Sequence, residues 1–205
     1  MNFLKIGVAG CAMIAMAACS ETTTSDAGAD ATGEEAATEI PEGSVEVTLL
    51  DRLDGVTSSF CLDIAGGNKD VDPANGLQAH TCYSYQGALG SDQAFDPAKL
   101  AEGTLYMPVY DVCATVASAE AGAEVTLAAC DESEAQKFTV AETGEVSPAA
   151  APEMCLTAGE ESRFGRSDVH QIRDLSVESC SEEAAGRQQW GGRTAEEAPE
   201  AAADA

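Results

Sequence analysis

The chain has 205 residues, a formal net charge of −26 and only 5% aromatic residues, which suits one modest domain with flanking segments. The excess of acidic residues argues against binding to nucleic acid, whose phosphates require Lys and Arg. It also argues against direct electrostatic binding to anionic lipid.

The first element is a targeting segment at residues 1–18, which is excluded from the fold. It contains Lys5, an apolar stretch too short for a transmembrane helix, and small residues ending in "MAAC" at Cys19. It resembles a bacterial lipoprotein signal. The resemblance implies cleavage before Cys19 and acylation of Cys19, for example with palmitate, so that the membrane is contacted through lipid only. The alternative is an ordinary secretory signal cut near Ala18. Ser20 favours an outer-membrane location facing the periplasm or the exterior.

Two acidic segments flank the remaining chain. Residues 19–42 contain seven acids, no base and no aromatic residue, so they cannot bury enough apolar surface to offset the entropy of ordering. We expect a flexible tether there, and a disordered acidic tail at 194–205. Residues 43–193 are predicted to form one globular domain.

The globular segment repeats one pattern three times. The copies read "CLDI…NGLQAHTC…DQAF", "CATV…GAEVTLAAC…AQKF" and "CLTA…LSVESC…RQQW". Alternating stretches such as "VEVTLLD" at 45–51 predict short β-strands, and Gly, Asn and Pro pairs predict the turns between them. Three copies of four strands predict an all-β fold, a β-trefoil of twelve short strands.

The Cys-Leu-Asp-Ile opening and the three Gln-x-aromatic closings resemble the ricin B-chain-type lectin trefoil over about 46–193. Six cysteines can pair in many ways, and the repeat favours one bridge within each copy: Cys61–Cys82, Cys113–Cys130 and Cys155–Cys180. Each such loop is worth about 3 kcal/mol on the chain-entropy account. Because no C-x-x-C spacing occurs, we expect no metal, and we expect no cofactor. The closing pairs Gln136–Phe138 and Gln188–Trp190 are interpreted as structural.

Sugar recognition combines fixed acceptors for hydroxyl groups with a flat face for C–H groups. In the lectin family these are the Asp of the opening, an aromatic residue two before the second cysteine, and a polar residue before the closing Gln. The resemblance therefore implies a carbohydrate site at Asp63, Gln78, His80, Asp92 and Gln93. His80 replaces the usual Trp or Tyr, and Asp92 replaces the usual Asn. The alternative for Asp63 is a carboxylate that caps a turn.

The second and third copies lack this set of residues. Thr115 and Thr157 stand at the acceptor position, Ala128 and Glu178 at the platform position, and Ala135 and Arg187 before the closing Gln. No Ser/His/Asp arrangement can be placed, so we do not expect an enzyme. The leading hypothesis is a lipid-anchored carbohydrate-binding module with one sugar site. The alternative is a β-trefoil scaffold for protein interaction or inhibition at the cell envelope.

Overall fold

The structure is a computed structural model that describes residues 39–66, 71–167 and 169–199. The predicted targeting segment, Cys19 and most of the predicted tether lie outside the described residues, as does the end of the tail. Among the described residues, no helix is both long enough and apolar enough to cross a bilayer.

The described ranges contain fourteen strands and two short α-helices. In the first copy the strands are β1 (Glu46–Leu49), β2 (Phe60–Ile64) and β3 (Leu77–Thr81). In the second they are β4 (Tyr106–Met107), β5 (Val112–Thr115), β6 (Ala123–Glu124), β7 (Thr126–Ala128) and β8 (Phe138–Val140). In the third they are β9 (Val146–Pro148), β10 (Met154–Ala158), β11 (Arg163–Phe164), β12 (Gln171–Arg173), β13 (Leu175–Ser179) and β14 (Trp190–Arg193). The helices are α1 (Pro97–Ala101) and α2 (Ala185–Gln188).

This architecture is the predicted β-trefoil, with local departures from twelve strands. The fourth strand of the first copy is reduced to a bridge between Val45 and Phe95. The short strand β6 and the hairpin β11–β12 are additional. One sheet has the order β11-β12-β3-β2-β1-β14, so the hairpin of the third copy lies beside β3 of the first, and β14 pairs with β1 at the chain ends.

The closing aromatic residue of each copy lies in the core. Phe95, Phe138 and Trp190 are at most 5% exposed. Each backbone N–H donates at 2.8 Å to a carbonyl near the start of the same copy: Phe95 to Val45, Phe138 to Gly103 and Trp190 to Gly144. The indole N–H of Trp190 also donates to the carbonyl of Leu156 at 2.9 Å, so its one polar atom is satisfied.

The closing glutamine of each copy is buried, and its side chain forms hydrogen bonds with the backbone on both sides of the second cysteine of that copy. The side-chain oxygen accepts from the N–H after the second cysteine: Gln93 from Tyr83, Gln136 from Asp131 and Gln188 from Ser181, at 2.9, 2.9 and 3.0 Å. The side-chain nitrogen donates to the carbonyl before that cysteine: Gln93 to Thr81, Gln136 to Ala129 and Gln188 to Ser179. The three glutamines therefore form equivalent hydrogen bonds in the three copies.

Three disulfides join Cys61 to Cys82, Cys113 to Cys130 and Cys155 to Cys180. These are the pairs that the repeat predicts. Each one closes the loop between two adjacent strands of one copy, and each loop has a different length, with sequence separations of 21, 17 and 25. The longest loop is the one that contains the additional hairpin β11–β12.

A buried ion pair lies where β1 meets β14. Glu46 is completely buried, and its Oε1 accepts from Arg193 Nε at 2.6 Å and from the Ser84 hydroxyl at 2.6 Å. Arg193 also donates to the carbonyl of Ser58 at 2.9 Å. The pair therefore connects the first and the last strand of the domain to the loops beside the first disulfide.

Arg193→Met is expected to lower the free energy of unfolding by about 3–5 kcal/mol, because it leaves the Glu46 carboxylate buried without its counter-ion. Lys99→Met is the matched control, since it breaks the exposed pair of Lys99 with Glu102, and such pairs contribute about 1 kcal/mol or less. Urea unfolding of both variants beside the parent measures the difference. Equal effects in the two variants would contradict the structural role of the Glu46–Arg193 pair.

Candidate functional site

A cleft of about 690 Å³ lies between the first copy and the β11–β12 hairpin of the third. The first copy lines this cleft with His80, Tyr83 and Asp92, and the hairpin lines it with Arg166 and His170. The cleft thus brings two of the five predicted site residues, His80 and Asp92, together with three residues that the sequence did not single out as site residues.

Hydrogen bonds and an ion pair hold the hairpin against the first copy. The backbone N–H of Gln171 donates to the Thr81 hydroxyl at 2.9 Å, and that hydroxyl donates back to the carbonyl of Gln171 at 3.2 Å. Arg173 is 4% exposed, donates to Asp54 at 2.7 Å, and lies 5.3 Å from the centre of the Phe60 ring. The hairpin is therefore a fixed wall of the cleft.

Three rings form the floor of the cleft. The ring centroid of His80 lies 5.0 Å from that of Tyr83 and 5.4 Å from that of His170. His80 is only 5% exposed, and its Nδ1 lies 2.8 Å from the carbonyl of Thr81, so Nδ1 carries the proton. Burial lowers the pKa of His80, which keeps the ring neutral at pH 7. Tyr83 and His170 are half-buried and cover His80, so they present the open ring surface.

Asp63 lies behind the cleft and does not line it. It is 1% exposed, and its two carboxylate oxygens accept from the side-chain nitrogens of Gln78 at 2.7 Å and Gln93 at 2.9 Å. Burial, followed by the charge of Asp92, raises the pKa of Asp63 well above its usual range, and the two amide hydrogen bonds oppose this shift. The structure therefore places Asp63, Gln78 and Gln93 in one buried network.

Asp92 presents a carboxyl group to the cleft. It is 7% exposed, and burial raises its pKa. The preceding turn makes room for it at Gly90, where a Cβ atom would lie 2.5 Å from Tyr83 Cδ2 and 2.7 Å from Asp92 Oδ1. Glycine at this position therefore allows the Tyr83 ring and the Asp92 carboxyl to lie side by side.

The other two copies show which part of the buried network belongs to the fold. Gln136 donates to the Thr115 hydroxyl at 3.1 Å, and Gln188 donates to the Thr157 hydroxyl at 2.9 Å, just as Gln93 donates to Asp63. The third copy also has a cavity of about 520 Å³ at the equivalent place, and its described lining contains no aromatic ring. The ring cluster and the second amide, from Gln78, thus distinguish the first copy.

Sequence reasoning missed Tyr83, Arg166 and His170 as residues of the cleft. Tyr83 follows the second cysteine directly, and alignment of the copies places Asp131 and Ser181 at the same position, so a comparison among copies could have singled it out. Arg166 and His170 belong to the longest of the three disulfide loops. The extra length indicated an insertion in the third copy, but it could not indicate that the insertion faces the first.

The comparisons with known proteins agree with this architecture. The sequence pattern of the ricin-type β-trefoil lectin domain matches residues 51–190, more than half of the chain. The chain belongs to this family. A comparison with curated protein sequences found no match.

Solved structures similar to the lectin domain share its fold at low sequence identity. An agglutinin from Abrus precatorius is 18% identical with a TM-score of 0.52, over 75% of this chain and 49% of that one. The chain therefore spans about half the length of the agglutinin. The mdaA-1 domain is 16% identical with a TM-score of 0.52, over 76% of this chain and 92% of that one. ThreeFoil, a designed threefold-symmetric protein, is 15% identical with a TM-score of 0.50, over 74% and 98%.

Asp63→Ala is expected to lower the free energy of unfolding of the lectin domain by about 1–3 kcal/mol, because the buried amide of Gln78 loses its acceptor. Thr115→Ala is the matched control at the equivalent position of the second copy, where Gln136 keeps a backbone acceptor at 3.0 Å, and its effect should be smaller. Chemical unfolding of both variants measures the difference. An Asp63→Ala variant as stable as the parent would show that the network does not support the fold.

Proposed function

We propose that the protein binds a carbohydrate in the cleft between the first copy and the β11–β12 hairpin. The observation that carries the proposal is the side-by-side placement of the Tyr83 and His170 rings with the Asp92 carboxyl in one open cleft. Sugar rings present C–H groups to flat side chains and hydroxyl groups to fixed acceptors. Membership in a lectin-domain family supports the same function, and it favours binding without catalysis.

The residues that line the cleft, and those buried behind it, then have different roles in binding. Asp92 accepts hydrogen bonds from the sugar hydroxyls. The rings of Tyr83 and His170, whose planes are inclined at 52°, each offer a face to the C–H groups of a sugar, and His80 packs against both rings. Burial raises the pKa of Tyr83, so its hydroxyl stays protonated and is able to donate. Asp63 forms hydrogen bonds with Gln78 and Gln93 behind the cleft. It does not touch the sugar, and its role is to support the strands next to Asp92.

We expect one weak site per chain. The second and third copies lack the ring cluster, so binding is monovalent, and a shallow cleft favours a dissociation constant near 1 mM, about −4 kcal/mol. A membrane anchor would compensate for this weakness, because many copies held on one surface raise the effective concentration of sites. The proposed anchor and the proposed binding therefore fit together.

Gly90→Ala is expected to weaken sugar binding by about tenfold, or about 1.4 kcal/mol, because the new methyl group displaces the Tyr83 ring and the Asp92 carboxyl. The backbone at Gly90, with φ of −77°, accepts alanine without strain. Gly192→Ala is the matched control, since its Cβ would make only ordinary contacts of 3.5–3.6 Å. NMR titration with a glycan panel measures binding, and thermal melts report folding.

Two results of this titration would count against the proposed site. A parent protein that binds none of the glycans would refute carbohydrate binding. Equal affinity in the parent and in a folded Gly90→Ala variant would place the sugar elsewhere on the domain.

We also propose that Cys19 carries the lipid anchor and that the domain is displayed at the outer membrane, facing the periplasm or the exterior. The support is the "MAAC" sequence followed by Ser20 and by an acidic segment suited to a tether. Two or three acyl chains anchor a protein stably, at about 0.8 kcal/mol for each buried methylene. Mass spectrometry of the mature N-terminus should find acylated Cys19 as the first residue. An unmodified chain that begins at another residue would refute the anchor.

The alternative function is a scaffold that binds another protein at the envelope. Two observations favour it. Asp63, the acceptor that the family resemblance implies, is buried in amide hydrogen bonds, and the hairpin exposes Phe164 and Val169, which are 69% and 56% accessible. The glycan titration separates the two functions, because a scaffold would bind no glycan.

A further inference from the structure

One wall of the cleft carries a fixed positive charge. Arg166 is exposed on the hairpin, and among the described residues that line the cleft it is the one with a permanent cation. The chain has 10 Lys and Arg residues against 36 acids, so a cation at a binding surface is uncommon in it. Arg166 and Tyr83 line the same cleft, and the charge of Arg166 opposes the rise that burial causes in the pKa of Tyr83.

The guanidinium of Arg166 differs from those of the arginines engaged in ion pairs. Four arginines of the described chain pair with a carboxylate: Arg163 with Asp174, Arg173 with Asp54, Arg187 with Glu160 and Arg193 with Glu46. Within residues 39–66, 71–167 and 169–199, Arg166 has no such pair. A guanidinium presents a planar set of donors that matches a carboxylate in two parallel hydrogen bonds. Arg166 is therefore suited to hold the carboxylate of a ligand.

The other walls define the rest of that ligand. Asp92 accepts hydrogen bonds from hydroxyl groups on the side of the first copy, and the rings of Tyr83 and His170 each offer a face for C–H groups. A ligand that matches the whole cleft has hydroxyl groups, a C–H face and a negative group on one small ring. A hexuronic acid has all three, whereas a neutral hexose lacks the negative group.

We propose that the cleft selects hexuronic acids over neutral hexoses of the same stereochemistry, through Arg166. This inference rests on the proposed carbohydrate binding and adds the class of sugar to it. Among the described lining residues Asp92 is the one acid, and it lies on the first copy whereas Arg166 lies on the hairpin, so the carboxylate of the ligand would be bound on the hairpin side. Acids farther away than about 8 Å are largely screened at physiological ionic strength. A contact with the exposed Arg166 is made well within that distance, so it persists at physiological ionic strength and weakens at high salt.

The test compares matched sugars on matched variants. Methyl galacturonide is titrated beside methyl galactoside, and methyl glucuronide beside methyl glucoside, by NMR at neutral pH and at low and high salt. In the parent, at least one uronide should bind about fivefold more tightly than its neutral partner, the upper range for an exposed ion pair. High salt should reduce this preference and leave neutral binding unchanged.

Arg166→Gln should remove the preference for the uronide, so that the uronide and its neutral partner bind with equal affinity. Arg163→Gln is the control, because Arg163 lies on the same hairpin and pairs with the exposed Asp174, so it should retain the preference. A parent that binds neutral sugars equally well or better, or an Arg166→Gln variant that keeps the preference, would overturn the inference while carbohydrate binding stands. A parent that binds neither class of sugar would refute both.

Discussion

A buried glutamine amide holds the two cysteine strands of each copy together, and the rest of the structure depends on it. The amide accepts from the backbone N–H after the second cysteine and donates to the side chain two residues after the first. That side chain must therefore present an oxygen. Thr115 and Thr157 present a hydroxyl in two copies, whereas Asp63 presents a carboxylate with a second oxygen, which binds Gln78. A hydroxyl and a carboxylate both meet this requirement of the fold, and among the three copies the first is the one with the buried acid.

This buried acid gives the first copy its electrostatic character. A carboxylate out of contact with water is costly unless hydrogen bonds compensate it, and here two amides compensate it in part, because the pKa of Asp63 stays well above its usual range. Asp92 lies close enough for its charge to raise the pKa of Asp63 further. The cleft therefore has an acceptor, Asp92, that is itself partly desolvated and is backed by a second acid.

The features that could be predicted from the sequence are those that depend on fixed spacings between residues of the same copy. The cysteine and Gln-x-aromatic spacings repeat because each copy forms the same local contacts, so the three disulfides and the trefoil could be inferred from them. The cleft could not be inferred in this way, because its far wall depends on contacts such as that between Thr81 and Gln171, which are 90 residues apart. The packing of His80 against His170, a residue of the β11–β12 hairpin, has the same origin. The assignment of Asp63, Gln78, His80, Asp92 and Gln93 to sugar binding stays a prediction.

The residues that stabilise the fold and the exposed residues of the cleft differ in how freely they can be substituted. With only 5% aromatic residues, the domain relies on disulfides, buried amides and the pair of Glu46 with Arg193, and Asp63 belongs to the buried amide network. The hairpin is anchored at Arg173 and at the backbone of Gln171, while Arg166, Ser167 and Val169 are exposed. Substitutions at Arg166 therefore change the charge that a ligand meets and leave the buried network intact. The buried acid network thus belongs to the first copy, whereas the exposed cation that lines the cleft comes from the third.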